Sequence, residues 1–158
     1  IAGYHAGIVI RNALFKLPAK VKYAAAPWVT YTDPELAHVG MSEDDVKKAN
    51  VPGFNILRWP FHENDRAQAE RSVDGMIKVI VDRKGRVLGA TLVGAHAGEL
   101  LAPWIMAVDQ SQKIGTMAGL IFPYPTLSEV SKRAAGSYFT PKLFSDRIKG
   151  IVRFLQRF

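Results

Sequence analysis

Between Phe122 and Glu129 the chain reads Phe-Pro-Tyr-Pro-Thr-Leu-Ser-Glu, setting a phenol and a carboxylate five residues apart. Each proline fixes its own φ and pushes the residue before it out of the helical region, so Tyr124 stands on a stiff, non-helical hook. A tyrosine of ordinary pKa near 10 is a neutral hydrogen-bond donor at pH 7 and a poor base. A histidine, titrating near 6.5, would exchange protons there. Thr126 and Glu129 also fit Thr-x-x-Glu, the pattern of a helix capping box. A structural reading therefore stands beside the chemical one: Tyr124 as an aromatic plug, Glu129 as a helix cap.

Other chemistries fail on composition or spacing. The chain has no cysteine, which removes disulfides, zinc–thiolate sites and any thiol nucleophile. His62-Glu63 begins like H-E-x-x-H, but Arg66 stands where the second ligand belongs. His5, His38, His62 and His96 are dispersed, so structural or surface roles are expected and no metal site is. Gly85, Gly89 and Gly94 do not make the G-x-G-x-x-G phosphate loop. Ser128, Ser131, Ser137 and Ser145 lie in no G-x-S-x-G turn. Alone, the chain is expected to be non-catalytic.

The size, 158 residues, suits one domain, with average apolar and charged fractions. No apolar run approaches the roughly 20 residues of a membrane span; the richest stretch, 95–108, carries His96 and Glu99. Residues 1–10 lack the charged start of a secretory signal. The expected compartment is cytoplasmic. The chain opens in mid-pattern without methionine, as an excised fragment or a processed N-terminus would. Its net charge is +7. Lys142, Arg147, Lys149, Arg153 and Arg157 crowd one end, and Arg83, Lys84 and Arg86 share a turn. No aromatic–basic interleave for single-stranded nucleic acid appears. A solvated basic tail is the preferred reading, with no nucleic-acid partner and no transmembrane segment expected.

These residues must be positioned by a modest set of elements. A helix ends over 8–15, before Pro18, and a strand runs over 28–32 until Asp33-Pro34 ends it. Ser42 caps a helix over 43–50. A strand over 54–61, with Pro60 near its end, suggests an edge. Residues 62–74 read as a connection. Met76 to Val81, a turn with Gly85 at positive φ, and Val87 to Val93 form a β-hairpin. Helices are expected over 98–112, 116–120, 127–135 (closed by Gly136) and 144–158, the last apolar at Ile148, Ile151, Val152 and Leu155 and basic opposite. The fold class is α+β: helices covering one mostly antiparallel sheet.

Together with 29–40, Val-Thr-Tyr-Thr-Asp-Pro-Glu-Leu-Ala-His-Val-Gly, the hook closely resembles the C-terminal dimerisation domain of the pyridine nucleotide–disulfide oxidoreductases, the glutathione reductase, dihydrolipoamide dehydrogenase and mercuric reductase family. The hook resembles that family's His-Pro-Thr-x-x-Glu segment, and 29–40 its F/Y-T-x-P-E-x-x-x-V-G strand and turn. Asn64-x-Arg66-Ala67 and 94–99 fall where the family has similar residues. The resemblance implies a two-fold homodimer in which this domain closes the partner subunit's active site beside the flavin. It places Tyr124 at the position of the family's acid/base histidine and Glu129 at that of the glutamate orienting it. Pro125 and Thr126 would lie near the partner's flavin. Tyrosine at the histidine position looks like the mercuric reductase branch, whose C-terminal cysteine pair is missing here. FAD and NAD(P)H would belong to the parent enzyme, with none bound to this piece alone. The implied partition is 1–22, the tail of a preceding FAD-binding domain; 23–140, the dimerisation domain; and 141–158, a basic amphipathic helix.

A second reading takes the charge at face value: a basic nucleic-acid- or membrane-surface-binding module acting through the C-terminal helix. Large apolar residues, among them Val29, Tyr31, Trp104, Met106 and Ile121, exceed what a thin layer covers and point to self-association. A charge in the 98–108 helix, as in Trp104→Glu, is then expected to disperse the assembly.

Overall fold

Val, Ile and Leu dominate the expected hairpin, and it forms the centre of the fold in the computed structural model, which describes residues 1–156. Strands β1 (Trp28–Thr30), β2 (Glu35–Gly40), β3 (Asn55–Pro60), β4 (Met76–Val81) and β5 (Val87–Gly94) make one sheet of order β1-β2-β5-β4-β3. Every neighbouring pair is antiparallel. Gly85 turns the hairpin at φ +79°, and β3 is an edge strand with Pro60 at its end, both as expected.

Successive side chains of a strand point to opposite faces. One face carries Ala37, Val39, Leu57, Ile77, Val79, Ala90 and Leu92, all buried. Against it pack α5 (Ala102–Asp109), α6 (Ile114–Gly119) and α7 (Glu129–Ser137), through Trp104, Ala107, Met117, Val130 and Ala134. The other face is half open. On it Trp28, His38, Thr91, Lys78 and Arg58 lie in one cross-strand row. His38 is held there by Thr91 Oγ1 at 2.9 Å and the Gly40 carbonyl at 3.0 Å, with the Trp28 ring 5.3 Å away.

Several expected boundaries move. The Asp33-Pro34 turn does not end a strand so much as reverse it: residues 35–40 return as β2, which was not anticipated as a separate strand. The 62–74 connection contains a 3-10 turn, Phe61–Glu63, and helix α3 (Asp65–Glu70), too short and polar to show periodicity. Helix α1 runs Ala2–Ala13, and α2, capped by Ser42 as expected, runs Glu43–Lys48. The single helix expected over 98–112 is two, α4 (Ala97–Leu100) and α5, because Pro103 cannot donate a backbone hydrogen bond. Helix α7 passes through Gly136 to Ser137. The helix expected over 144–158 starts later, as α9 (Asp146–Leu155), and a separate short helix, α8 (Thr140–Leu143), precedes it. The parts of that expectation resting on Arg157 and Phe158 lie outside the described residues.

Trp104 also changes place. It is fully buried inside the domain, its indole N–H donating to Ser131 Oγ at 3.0 Å. A charge there would break the core rather than disperse an assembly.

Candidate functional site

Between α6 and α7 the chain crosses the hook on the surface, and a buried asparagine fixes it. Asn64 is only 4% exposed. Its side-chain N–H donates to the Thr126 carbonyl at 3.1 Å, and its Oδ1 accepts from Ala67 N–H at 3.0 Å, capping α3. One residue later, Asp65 Oδ2 accepts the Tyr124 phenol at 2.8 Å. Thr126 Oγ1 donates to the Pro123 carbonyl at 2.8 Å. The peptide bond between Tyr124 and Pro125 is cis. Hook and α3 N-terminus are thus one braced unit, built from segments some 60 positions apart.

The brace presents side chains outward. Tyr124 is 69% exposed and Ile121 96%. The Tyr124 pKa is raised, first by its hydrogen bond to Asp65, then by that carboxylate's charge, by burial, and by the more distant charge of Glu129. Each of these favours the neutral phenol. At neutral pH Tyr124 can donate a hydrogen bond or pack its ring, but it cannot take up a proton as a histidine would.

Glu129 does not play its expected structural part. Ser128 precedes α7 without a side-chain cap bond, and Thr126 spends its hydroxyl on Pro123, so the Thr-x-x-Glu capping box is not formed. Among the described residues no hydrogen bond or ion pair engages the Glu129 carboxylate, which lines a groove with Trp59, Lys132 and Arg133. The Trp59 indole N–H, buried against this region, also lacks a partner among the described residues. Tyr124 and Glu129 therefore lie on one surface without touching; Asp65, not Glu129, is the phenol's carboxylate. Sequence reading missed Asp65 and placed Asn64 in a connection. An asparagine three residues before Ala67 could have been read as an N-cap.

Thr126 has both its carbonyl and its hydroxyl engaged within the domain. The sheet's left-handed glycines offer no phosphate cradle either. A Cβ on Gly40 or Gly75 would strike the carbonyl of Leu88 or Val93, and one on Gly94 would meet the Phe61 ring at 2.9 Å. The space beside them is filled by protein. No cluster of three His, Asp or Glu side chains suited to a metal occurs among the described residues.

Comparison with known proteins agrees with this architecture. The family described as "Pyridine nucleotide-disulphide oxidoreductase, dimerisation domain" matches residues 26–135. The chain is 35% identical over 134 residues to a dihydrolipoyl dehydrogenase of Trypanosoma brucei brucei, covering 84% of this chain and 28% of the relative. It is 36% identical over 130 residues to the mitochondrial dihydrolipoyl dehydrogenase of Dictyostelium discoideum, covering 82% and 26%. The crystal structure of LpdA from Mycobacterium tuberculosis superposes with a TM-score of 0.80 at 25% identity, over 87% of this chain and 30% of that one. The HOCl-induced flavoprotein disulfide reductase RclA from Escherichia coli shares the fold, at TM-score 0.77 and 23% identity over 82% of this chain and 30% of that one. The chain spans less than a third of the length of these relatives. The leaning toward mercuric reductases drawn from Tyr124 gains no support: the similarity runs to dihydrolipoyl dehydrogenases.

Proposed function

Because the chain belongs to the pyridine nucleotide-disulphide oxidoreductase family as its dimerisation domain, we propose that it joins two subunits of an FAD- and NAD(P)H-dependent, dihydrolipoyl dehydrogenase-like enzyme and walls the partner subunit's active site. The observation that carries this reading is the braced hook. An exposed Ile121 and an exposed phenol on a segment pinned by Asn64 and Asp65 are what a preformed contact surface needs. Tyr124 acts in the partner's site as a ring wall whose phenol oxygen can accept a hydrogen bond while its one O–H donates to Asp65, and Glu129 supplies negative charge at the same edge. Pro125 and Thr126 shape the hook toward the flavin, Thr126 through its carbonyl and hydroxyl bonds within the domain rather than by holding the cofactor.

The sheet glycines offer no cradle for an FAD or nicotinamide phosphate, since Gly40, Gly75, Gly89 and Gly94 abut the domain's own atoms. Those cofactors are assigned to the remainder of the parent chain. The partition follows. Residues 1–22, whose helix α1 has no buried side chain, complete a preceding FAD-binding domain; 23–140 form the interface domain; 141–158 are an appended basic helix. Among the described residues no helix is long and apolar enough to cross a membrane; residence in the cytoplasm is part of the same proposal.

Sedimentation of the purified 158-residue chain tests this reading. A colourless dimer is expected. A species that stays monomeric at micromolar concentration, or one that retains yellow flavin, overturns it.

A further inference from the structure

Helix α9 is amphipathic yet buries nothing. Ile151, Val152 and Leu155 are each more than two-fifths exposed, and no residue of the helix is buried. At 3.6 residues per turn, Ile148, Ile151, Val152 and Leu155 share an arc of about 100°. Arg147 and Lys149 flank that arc on either side and Arg153 lies opposite. Asp146, 3.5 Å from Lys149, is the one acid between 146 and 156. The helix also lies beyond the family match, which ends at 135.

The surface at its base has the same sign. Lys142, on α8, lines a groove with Arg83 and with Arg58, which also pairs with Glu43 Oε2 at 3.8 Å, and sits 5.4 Å from the Tyr138 ring centroid. Among the described residues no acidic side chain lines that groove. An exposed apolar stripe edged by cations, next to a cationic groove, fits a surface that is apolar within and anionic at its rim. Flanking Arg and Lys side chains can keep their charges at the headgroups while their stems and the stripe enter the boundary.

We propose that α9 docks in plane on an anionic phospholipid surface and tethers the dimeric enzyme to it. A nucleic-acid backbone would satisfy the cations but leave Ile151, Val152 and Leu155 in water, so the lipid surface is the better complement. The inference stands independently of which substrate the parent enzyme reduces.

Co-sedimentation of the full-length protein with vesicles tests it, comparing phosphatidylcholine alone with phosphatidylcholine–phosphatidylglycerol mixtures. Binding is expected on the anionic vesicles and should weaken steeply with salt. The R147Q/K149Q variant, which removes the two flanking cations, is expected to lose roughly twenty-five-fold in affinity, at about fivefold per cation near an anionic surface. The I151E/L155E variant should abolish binding while leaving the fold intact, since neither side chain is buried. No binding to anionic vesicles, or binding indifferent to both variants, overturns the proposal. So does dissociation of the dimer by I151E/L155E without lipid, which would make the stripe a protein contact. Retention on duplex DNA that depends on the cations but not on Ile151 and Leu155, without vesicle binding, overturns it in favour of nucleic acid.

Discussion

The phenol of Tyr124 donates to Asp65 Oδ2 at 2.8 Å, joining the hook to the start of α3 across 59 residues of chain. A bond from a neutral phenol to a carboxylate stabilises the protonated form, and the Tyr124 pKa is raised accordingly. Its contribution is therefore complete below the ordinary tyrosine value of about 10 and is lost as the pH rises through the raised value. Asp65→Asn removes the charge and should move Tyr124 ionisation to lower pH. Tyrosinate absorbance, with the Tyr124→Phe protein subtracted, reads this directly. An unchanged midpoint in Asp65→Asn would mean that the bond does not form.

Asn64 does two jobs at once, so its loss should cost more than an ordinary cap. Asn64→Ala leaves the Thr126 carbonyl and Ala67 N–H without their partner. A cost of about 2 kcal/mol or more is expected in urea denaturation. Asn64→Asp keeps an acceptor for Ala67 but turns no donor toward Thr126. It should therefore preserve α3 while speeding amide exchange in the hook. Equal protection of the hook in the two proteins would show that Asn64 is not its anchor.

What the sequence made legible follows the range of the interactions involved. The β4–β5 hairpin and the Ser42 cap are set by neighbours within a few residues, and both were read correctly. Helix α3 was missed because its six residues carry too few apolar positions to show a period, and β2 because Asp33-Pro34 looked like an end rather than a reversal. Resemblance to a family supplied Tyr124 and Glu129 as a pair. The carboxylate that the phenol meets, Asp65, comes from another element, and no local pattern encodes that pairing. Thr126 and Glu129 show the converse: a perfect local pattern, Thr-x-x-Glu, gives way because Thr126 Oγ1 finds Pro123 inside the hook.

Trp104 separates core from interface. It is fully buried and donates to Ser131 Oγ. Trp104→Ala is expected to destabilise the domain by about 3–5 kcal/mol, with Trp104→Glu worse, and both should appear in circular dichroism melts as loss of the fold. Met106, two residues on and 51% exposed, is the position on α5 where a charge should leave the melt nearly unchanged. A folded Trp104→Glu monomer would restore the interface reading of this side chain.

Gly75 precedes β4 at φ +112°, and a Cβ there would strike the Val93 carbonyl of the neighbouring strand. Backbone strain alone is expected to cost Gly75→Ala about 1–3 kcal/mol, before any displacement of β5. Gly150, whose added Cβ would meet nothing within 4 Å, should by contrast tolerate alanine without loss. A thermal melt of each protein distinguishes them. Equal stability would mean that the β4–β5 approach is looser than the geometry shows.

The capping box of α2 gives the domain a titratable contribution of known sign. Asp45 accepts from the Ser42 hydroxyl at 2.6 Å and from Ser42 N–H at 2.9 Å, and these bonds, the hydroxyl's first, lower its pKa. A lowered carboxylate stabilises the fold above its unfolded value and loses that contribution as the pH falls through the lowered one. Ser42→Ala removes the hydroxyl and should cost about 1 kcal/mol at pH 7, the ordinary worth of a cap. It should also raise the Asp45 pKa. In the wild-type protein the advantage then fades on acidification, so the stability gap to Ser42→Ala must narrow as Asp45 protonates. Denaturant midpoints measured from neutral pH down through the carboxylate range give the comparison. A gap that holds constant to the acid limit would show that Asp45 draws nothing from Ser42.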